Sequence, residues 1–171
     1  MVSFKSNAKN YRDAESMAAA YLAAYFANSK IKYPLNPFKM LKDEGVEFKI
    51  CNFNKLEGVY IPAQSQEDIS IVGISAKRPI TRQRFTAAHE LCHHFRDADK
   101  QVACPIGKKN ASEYFADAFA SALLMPMGEL KIKVNEYKDI NGNVSFDDIL
   151  KIADYFGVSF EACVRRIAYK I

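Results

Sequence analysis

His89-Glu90-Leu91-Cys92-His93 opens a stretch that closes with Glu113-Tyr114-Phe115-Ala116-Asp117. On a helix, side chains four residues apart lie about one turn apart and leave from the same face. His89 and His93 therefore offer two imidazoles from one rigid element, which suits a tetrahedral metal. Glu90 follows the first histidine and can reach a water on that metal without ligating it, the placement of a general base. Nineteen residues separate His93 from Glu113, room for a loop and the start of a second helix. There Glu113 and Asp117 again share a face. Glu113 can complete the protein ligands, and Asp117 can accept the second ring N–H of a histidine and fix its tautomer. Two imidazoles and one carboxylate suit Zn²⁺, although Mn²⁺ or Fe²⁺ fits the same donors. The competing explanation is a polar helix face that happens to carry histidines. All three histidines of the chain, His89, His93 and His94, fall inside this one motif, and the paired acids follow it. A metal site is the better reading.

The surrounding residues extend the pattern. Arg84-Phe85-Thr86-Ala87-Ala88-His89-Glu90-Leu91-Cys92-His93-His94 resembles the RFTxAHELGHH segment of the ImmA/IrrE metallopeptidases. Glu113-Tyr114-Phe115-Ala116-Asp117-Ala118-Phe119-Ala120, with Leu123-Leu124-Met125-Pro126, resembles their ExxANxFAxxLLMP segment. Cys92 stands where that family usually has glycine, and Asp117 where it usually has asparagine. The second departure brings the chain closer to the HExxH…ExxxD arrangement of thermolysin-like gluzincins. The resemblance implies a zincin-like α+β fold and a metallo-endopeptidase whose Glu90 is catalytic and whose metal sits on His89, His93 and Glu113. It further implies a protein substrate, a transcriptional repressor or similar regulator whose cleavage relieves repression, with no direct nucleic-acid contact and no membrane.

At 171 residues the length favours one domain over 1–171, with enough chain for a core. Within it, 1–45 reads as N-terminal helices, 46–76 as a small sheet, 81–126 as the metal-site helices and 144–171 as a C-terminal helix pair. Apolar residues make up 49% and charged residues 26%, as in an ordinary soluble globular protein. A net charge of +4 permits an acidic partner without selecting one. Cys51, Cys92, Cys104 and Cys163 are scattered without a CxxC pair, so free thiols in a reducing cytoplasm are expected. Cys92 points about 100° away from His93 around the helix and reads as a small core side chain. The uncharged run 17–27 is too short to span a membrane. Met17, Tyr21, Ala24 and Tyr25 fall in it at helical spacing, so it reads as an amphipathic first helix.

Asn36-Pro37 marks a helix start and Gly45 its end. Alternation in 46–50, with apolar runs at 58–61 and 69–74, predicts a small, mostly antiparallel sheet of about three strands. In metallopeptidases resembling this chain, an edge strand of such a sheet pairs with the substrate backbone. The first ligand helix is expected over 82–95, with Phe85, Ala88, Cys92 and Phe95 as its inward stripe. Arg82 and Arg84 read as solvated charges, or as groups that hold a substrate carbonyl. The segment 96–110, with Lys100, Pro105, Gly107, Lys108 and Lys109, reads as a polar loop. Asn110 or Ser112 caps the second ligand helix, whose Phe115, Phe119, Ala120, Leu123 and Leu124 have core spacing and which Pro126 closes. A helix from about Met127 and a turn at Asn141-Gly142-Asn143 follow. Ser145 then caps Phe146–Phe156, Gly157 turns the chain, and 160–169 forms a last helix. Residues 152–162 look somewhat like a helix-turn-helix, with Arg165, Arg166 and Lys170 beyond. Two rival functions follow: a DNA-binding regulator, and a metal-binding sensor or interaction module with little catalysis.

Overall fold

The computed structural model describes residues 2–107 and 110–171; Lys108 and Lys109 lie outside the described residues. The elements run α1 (Val2–Asn7), a 3-10 turn, α2 (Ala14–Tyr25), α3 (Pro37–Asp43), β1 (Val46–Cys51), β2 (Leu56–Ile61), β3 (Ser70–Ser75), α4 (Ile80–Arg96) and β4 (Val102–Pro105). Then come α5 (Ala111–Leu124), α6 (Met127–Tyr137), α7 (Phe146–Phe156) and α8 (Phe160–Lys170). The fold is α+β. Among the described residues, no helix is long and apolar enough to cross a membrane.

Among the described residues the sheet has four strands, in the order β1-β3-β2-β4. β2 pairs antiparallel with β3 and with β4, whereas β1 runs parallel to β3, with Val46 opposite Ser70. The sheet is therefore mixed and one strand larger than the sequence indicates. The extra strand, β4, lies in the segment read as a polar loop. Its short Val-Ala-Cys-Pro run has too little length to show periodicity, and β2 supplies the partner that makes it a strand.

Capping residues set the helix starts. The side chains of Asn36, Asn110, Ser145 and Ser159 accept backbone N–H groups of their own first turns, at 3.0 to 3.2 Å. α4 packs against β2 and β3 on one side and against α5 on the other, and α5 in turn packs on α2. Residues 87, 88, 91, 92 and 95 bury the inward faces of α4. Tyr21 of α2 is fully buried where these layers meet, with its ring centroid 5.0 Å from Phe95 and 6.5 Å from Phe119. Its hydroxyl donates to Glu44, which also pairs with Lys5 at 2.8 Å.

Two arginines correct the sequence reading. Arg84 is not a solvated charge: its guanidinium donates to the backbone carbonyls of Leu35 at 2.6 Å and Gly157 at 2.8 Å. It thus ties α4 to the α7–α8 turn. Arg166 is 5% exposed, pairs in bidentate fashion with Glu15 of α2, and donates to the Met125 carbonyl at the end of α5. Both are structural clamps.

Gly157 ends α7 in the left-handed conformation, φ 64°, so that Val158 N–H can reach back to the Ala153 carbonyl. A Cβ there would also sit 2.9 Å from the Arg84 guanidinium. Gly157→Ala is expected to cost at least about 1–2 kcal/mol from the backbone alone. Urea unfolding measures it; an unchanged midpoint would show that the turn and its clamp can rearrange freely.

Candidate metal centre

α4 and α5 bring the four sequence-predicted donors and acceptors to one place. His89 Nε2 and His93 Nε2 face each other at 3.1 Å. Glu113 reaches both, with one carboxylate oxygen 3.3 Å from His89 Nε2 and the other 3.2 Å from His93 Nε2. Asp117 sits at the far side of the His89 ring, 2.9 Å from Nδ1. His89, His93, Glu90 and Glu113 are each at most 5% exposed. One further donor joins the group: Cys104 of β4, whose Sγ is 3.3 Å from His89 Nε2 and 3.6 Å from Glu113 Oε1. One ligand atom from each of His89, His93, Cys104 and Glu113 falls within 4.8 Å of all the others.

Hydrogen bonding explains why such a cluster calls for a cation. His93 Nδ1 lies 2.8 Å from Asp97 Oδ2, as His89 Nδ1 lies against Asp117. An ionised carboxylate only accepts, so each Nδ1 carries the hydrogen and each neutral ring presents a bare Nε2 lone pair. Two lone pairs and the Glu113 carboxylate then converge with no proton between them. A divalent cation satisfies all three donors at once, and the residues fit it. Without a cation a proton must serve. Burial alone would lower the His89 pKa, yet its hydrogen bonds to the Asp117 and Glu113 carboxylates outweigh burial and raise it to about 9. Burial likewise works against the Glu113 carboxylate, and the two histidines overcome it and hold its pKa below the usual range.

Glu90 lies apart from this set. It is fully buried, and neither carboxylate oxygen has a hydrogen-bond partner among the described residues. Burial pushes its pKa up to about 7, against the pull of His89 and His93. Such an acid can give and take a proton near neutrality. The backbone of β2 makes room for it: a Cβ on Gly58 would fall 2.2 Å from Glu90 Oε1 and 2.6 Å from Thr86 Cγ2. The third histidine plays no part here. His94 Nδ1 meets the Tyr60 hydroxyl at 3.2 Å, and burial, aided by Lys5, lowers its pKa to about 4.

Asp97, Cys104 and Gly58 escaped the reading of the sequence. Asp97 was within reach, since it follows His93 by the same four residues that separate the two histidines. Gly58 carried the general signal of a glycine inside a strand, which marks a close approach. Cys104 carried none, because its position depends on how β4 pairs.

Asp97→Ala and Asp117→Ala should each weaken metal binding by about 10–100-fold without abolishing it, if each carboxylate orients one candidate ligand ring. Competition against a chromogenic chelator measures this. Two neutral substitutions would show that neither carboxylate sets the orientation of a ligand.

The approach to the site is narrow. A cleft of about 40 Å³ touches His89, Cys104, Glu113 and Asp117. Next to it, and sharing Arg82, Phe85 and Asp117, opens a groove of about 600 Å³ floored by Phe115, Val158 and Ala162. Arg82 is held at the shared wall by Glu57, 2.8 Å away. Phe115, expected in the core, is half-buried and lines this groove beneath the Arg96 guanidinium, 3.9 Å from its ring centroid.

No curated protein matches the chain by sequence. The family model of the M78 peptidases, described as the IrrE N-terminal-like domain, matches residues 41–168, which take in the sheet, both metal-site helices and most of α8. Membership implies a metallopeptidase-type function and a protein substrate. With that match across most of its length, and with the zincin-like α+β arrangement described above, the chain belongs to the M78 peptidase family, as an IrrE N-terminal-like domain.

Proposed function

We propose that the protein is a zinc-dependent endopeptidase that cuts one or a few protein substrates, a transcriptional repressor or similar regulator among them. The observation that carries the reading is the convergence of two imidazole lone pairs and the Glu113 carboxylate beside a buried, unsatisfied Glu90. His89, His93 and Glu113 would hold the cation, with Asp117 and Asp97 fixing the two rings. The cation would supply Lewis-acid polarisation of the scissile carbonyl and acidify a water. Glu90 takes the proton from that water as it attacks, and returns it to the departing amine. The neighbouring groove offers an extended segment a partly apolar bed beside the metal centre.

The DNA-binding alternative loses its footing in Arg166, which is buried and paired with Glu15. Arg165 is exposed but engaged by Glu161 at 2.7 Å.

Specificity should come from docking outside the cleft, because remote binding energy can then support the transition state. Zinc-loaded protein is therefore expected to cut a cognate regulator while leaving unfolded casein almost untouched, with Glu90→Gln as the blank. Gel analysis of both digests checks this. Rapid, indiscriminate casein digestion would overturn the regulatory substrate and leave the peptidase standing.

A further inference from the structure

The Cys104 thiol has no role in the hydrolysis just described, yet it occupies the centre of the site. It comes from a different element than the other donors, the edge strand β4, which is paired along one side only, with β2. Its Sγ faces His89 Nε2 and Glu113 Oε1 at 3.3 and 3.6 Å, among the same donors that converge on the cation. Catalytic zinc sites keep one of four positions open for water, whereas sites with four protein ligands are closed and structural. With Cys104 counted, this site has four. Two further observations point the same way. The unsatisfied Glu90 carboxylate lies buried beside the cluster, so the base is in place while its water position is contested. Cys104, Ile106 and Gly107 also wall the cleft over the metal centre, which is restricted to about 40 Å³.

We propose that Cys104 is a displaceable fourth ligand that keeps the peptidase latent. This rests on the metallopeptidase reading above. Ligation would form the Cys104 Sγ–metal bond and release the thiol proton to solvent water; breaking that bond would return a proton from solvent water to Sγ and vacate a position for a water ligand. Since β4 is an edge strand continuous with the turn at Ile106 and Gly107, drawing the thiol away would also widen the cleft. The ligand and the lid are one element. The enzyme would then be activated by whatever displaces β4 or removes the thiol as a donor.

The test uses Co²⁺ as a spectroscopic probe in the full chain, in wild type, Cys104→Ala and the nearly isosteric Cys104→Ser. Wild type should show a sulfur-to-cobalt charge-transfer band, and both variants should lose it while keeping bound cobalt. X-ray absorption of the zinc forms should find one sulfur at about 2.3 Å in wild type and none in the variants. Acetohydroxamate, a small chelating probe, should perturb the cobalt spectrum of either variant at lower concentration than it does in wild type. Cobalt bound by wild type without a sulfur band would overturn the latch and leave the metal centre intact. So would equal acetohydroxamate affinity in all three proteins. Failure of every form to bind cobalt would overturn the metal centre and the latch with it.

Discussion

Replacing Glu90 with glutamine should lower peptide hydrolysis by about 10²–10⁴-fold and leave the metal bound. Glutamine keeps the size of a side chain that is fully buried, so the packing around α4 has no reason to change. It removes a group able to accept a proton, and it removes no ligand. Glu113→Gln is the informative contrast. Glu113 spans both histidines with its two oxygens, and replacing one oxygen with an amide nitrogen turns an acceptor toward the cation into a donor. That variant should lose metal first and activity as a consequence. Elemental analysis and turnover, measured on the same preparations, separate the two. If Glu90→Gln lost its metal as fully as Glu113→Gln, the division between base and ligand would be wrong.

Gly58→Ala should inactivate the enzyme almost as fully without removing a single polar group. The added methyl would lie 2.2 Å from Glu90 Oε1 and 2.6 Å from Thr86 Cγ2, far inside contact distance. Glu90 is the movable party, and any motion that relieves the clash takes the carboxylate away from its place beside the ligands. Overpacking of this kind typically costs about 1–3 kcal/mol, so denaturant unfolding should register a loss of stability while the metal remains bound. Gly128→Ala is the control, since a Cβ at Gly128 meets nothing within 4 Å. Wild-type turnover in Gly58→Ala would mean that the strand or the acid can shift without consequence, and the account of Glu90 would need revision.

The sequence makes visible what is local. Helix starts announce themselves through a side chain and a backbone N–H two or three residues apart, so Asn36 and Ser145 were readable as caps and Asn110 as one of two candidates beside Ser112. The metal cluster was legible for the same reason: His89 with His93, and Glu113 with Asp117, are helical neighbours. What stayed hidden depends on distant partners. Arg84 reads as a surface charge until Leu35 and Gly157 arrive from 49 and 73 residues away to accept its hydrogens. Arg166 reads as part of a basic helix until Glu15, 151 residues earlier, pairs with it. The parallel pairing of β1 with β3 was hidden too, because alternation within a strand carries no information about which neighbour it will find.

The bidentate pair between Arg166 and Glu15 bears on where the working unit begins. The family match starts at residue 41, so α2, with Glu15 and Tyr21, falls outside the part that resemblance recognises. Physically it is inside. Tyr21 packs on Phe95, two residues after His93, and on Phe119, two residues after Asp117. A fragment cut at the boundary of the match would strand the Arg166 guanidinium in a buried position without its carboxylate, a costly state for any charge. Kinship and mechanics thus draw different borders on the same chain. The stretch that the match leaves out is the buttress against which the two helices of the candidate centre lean.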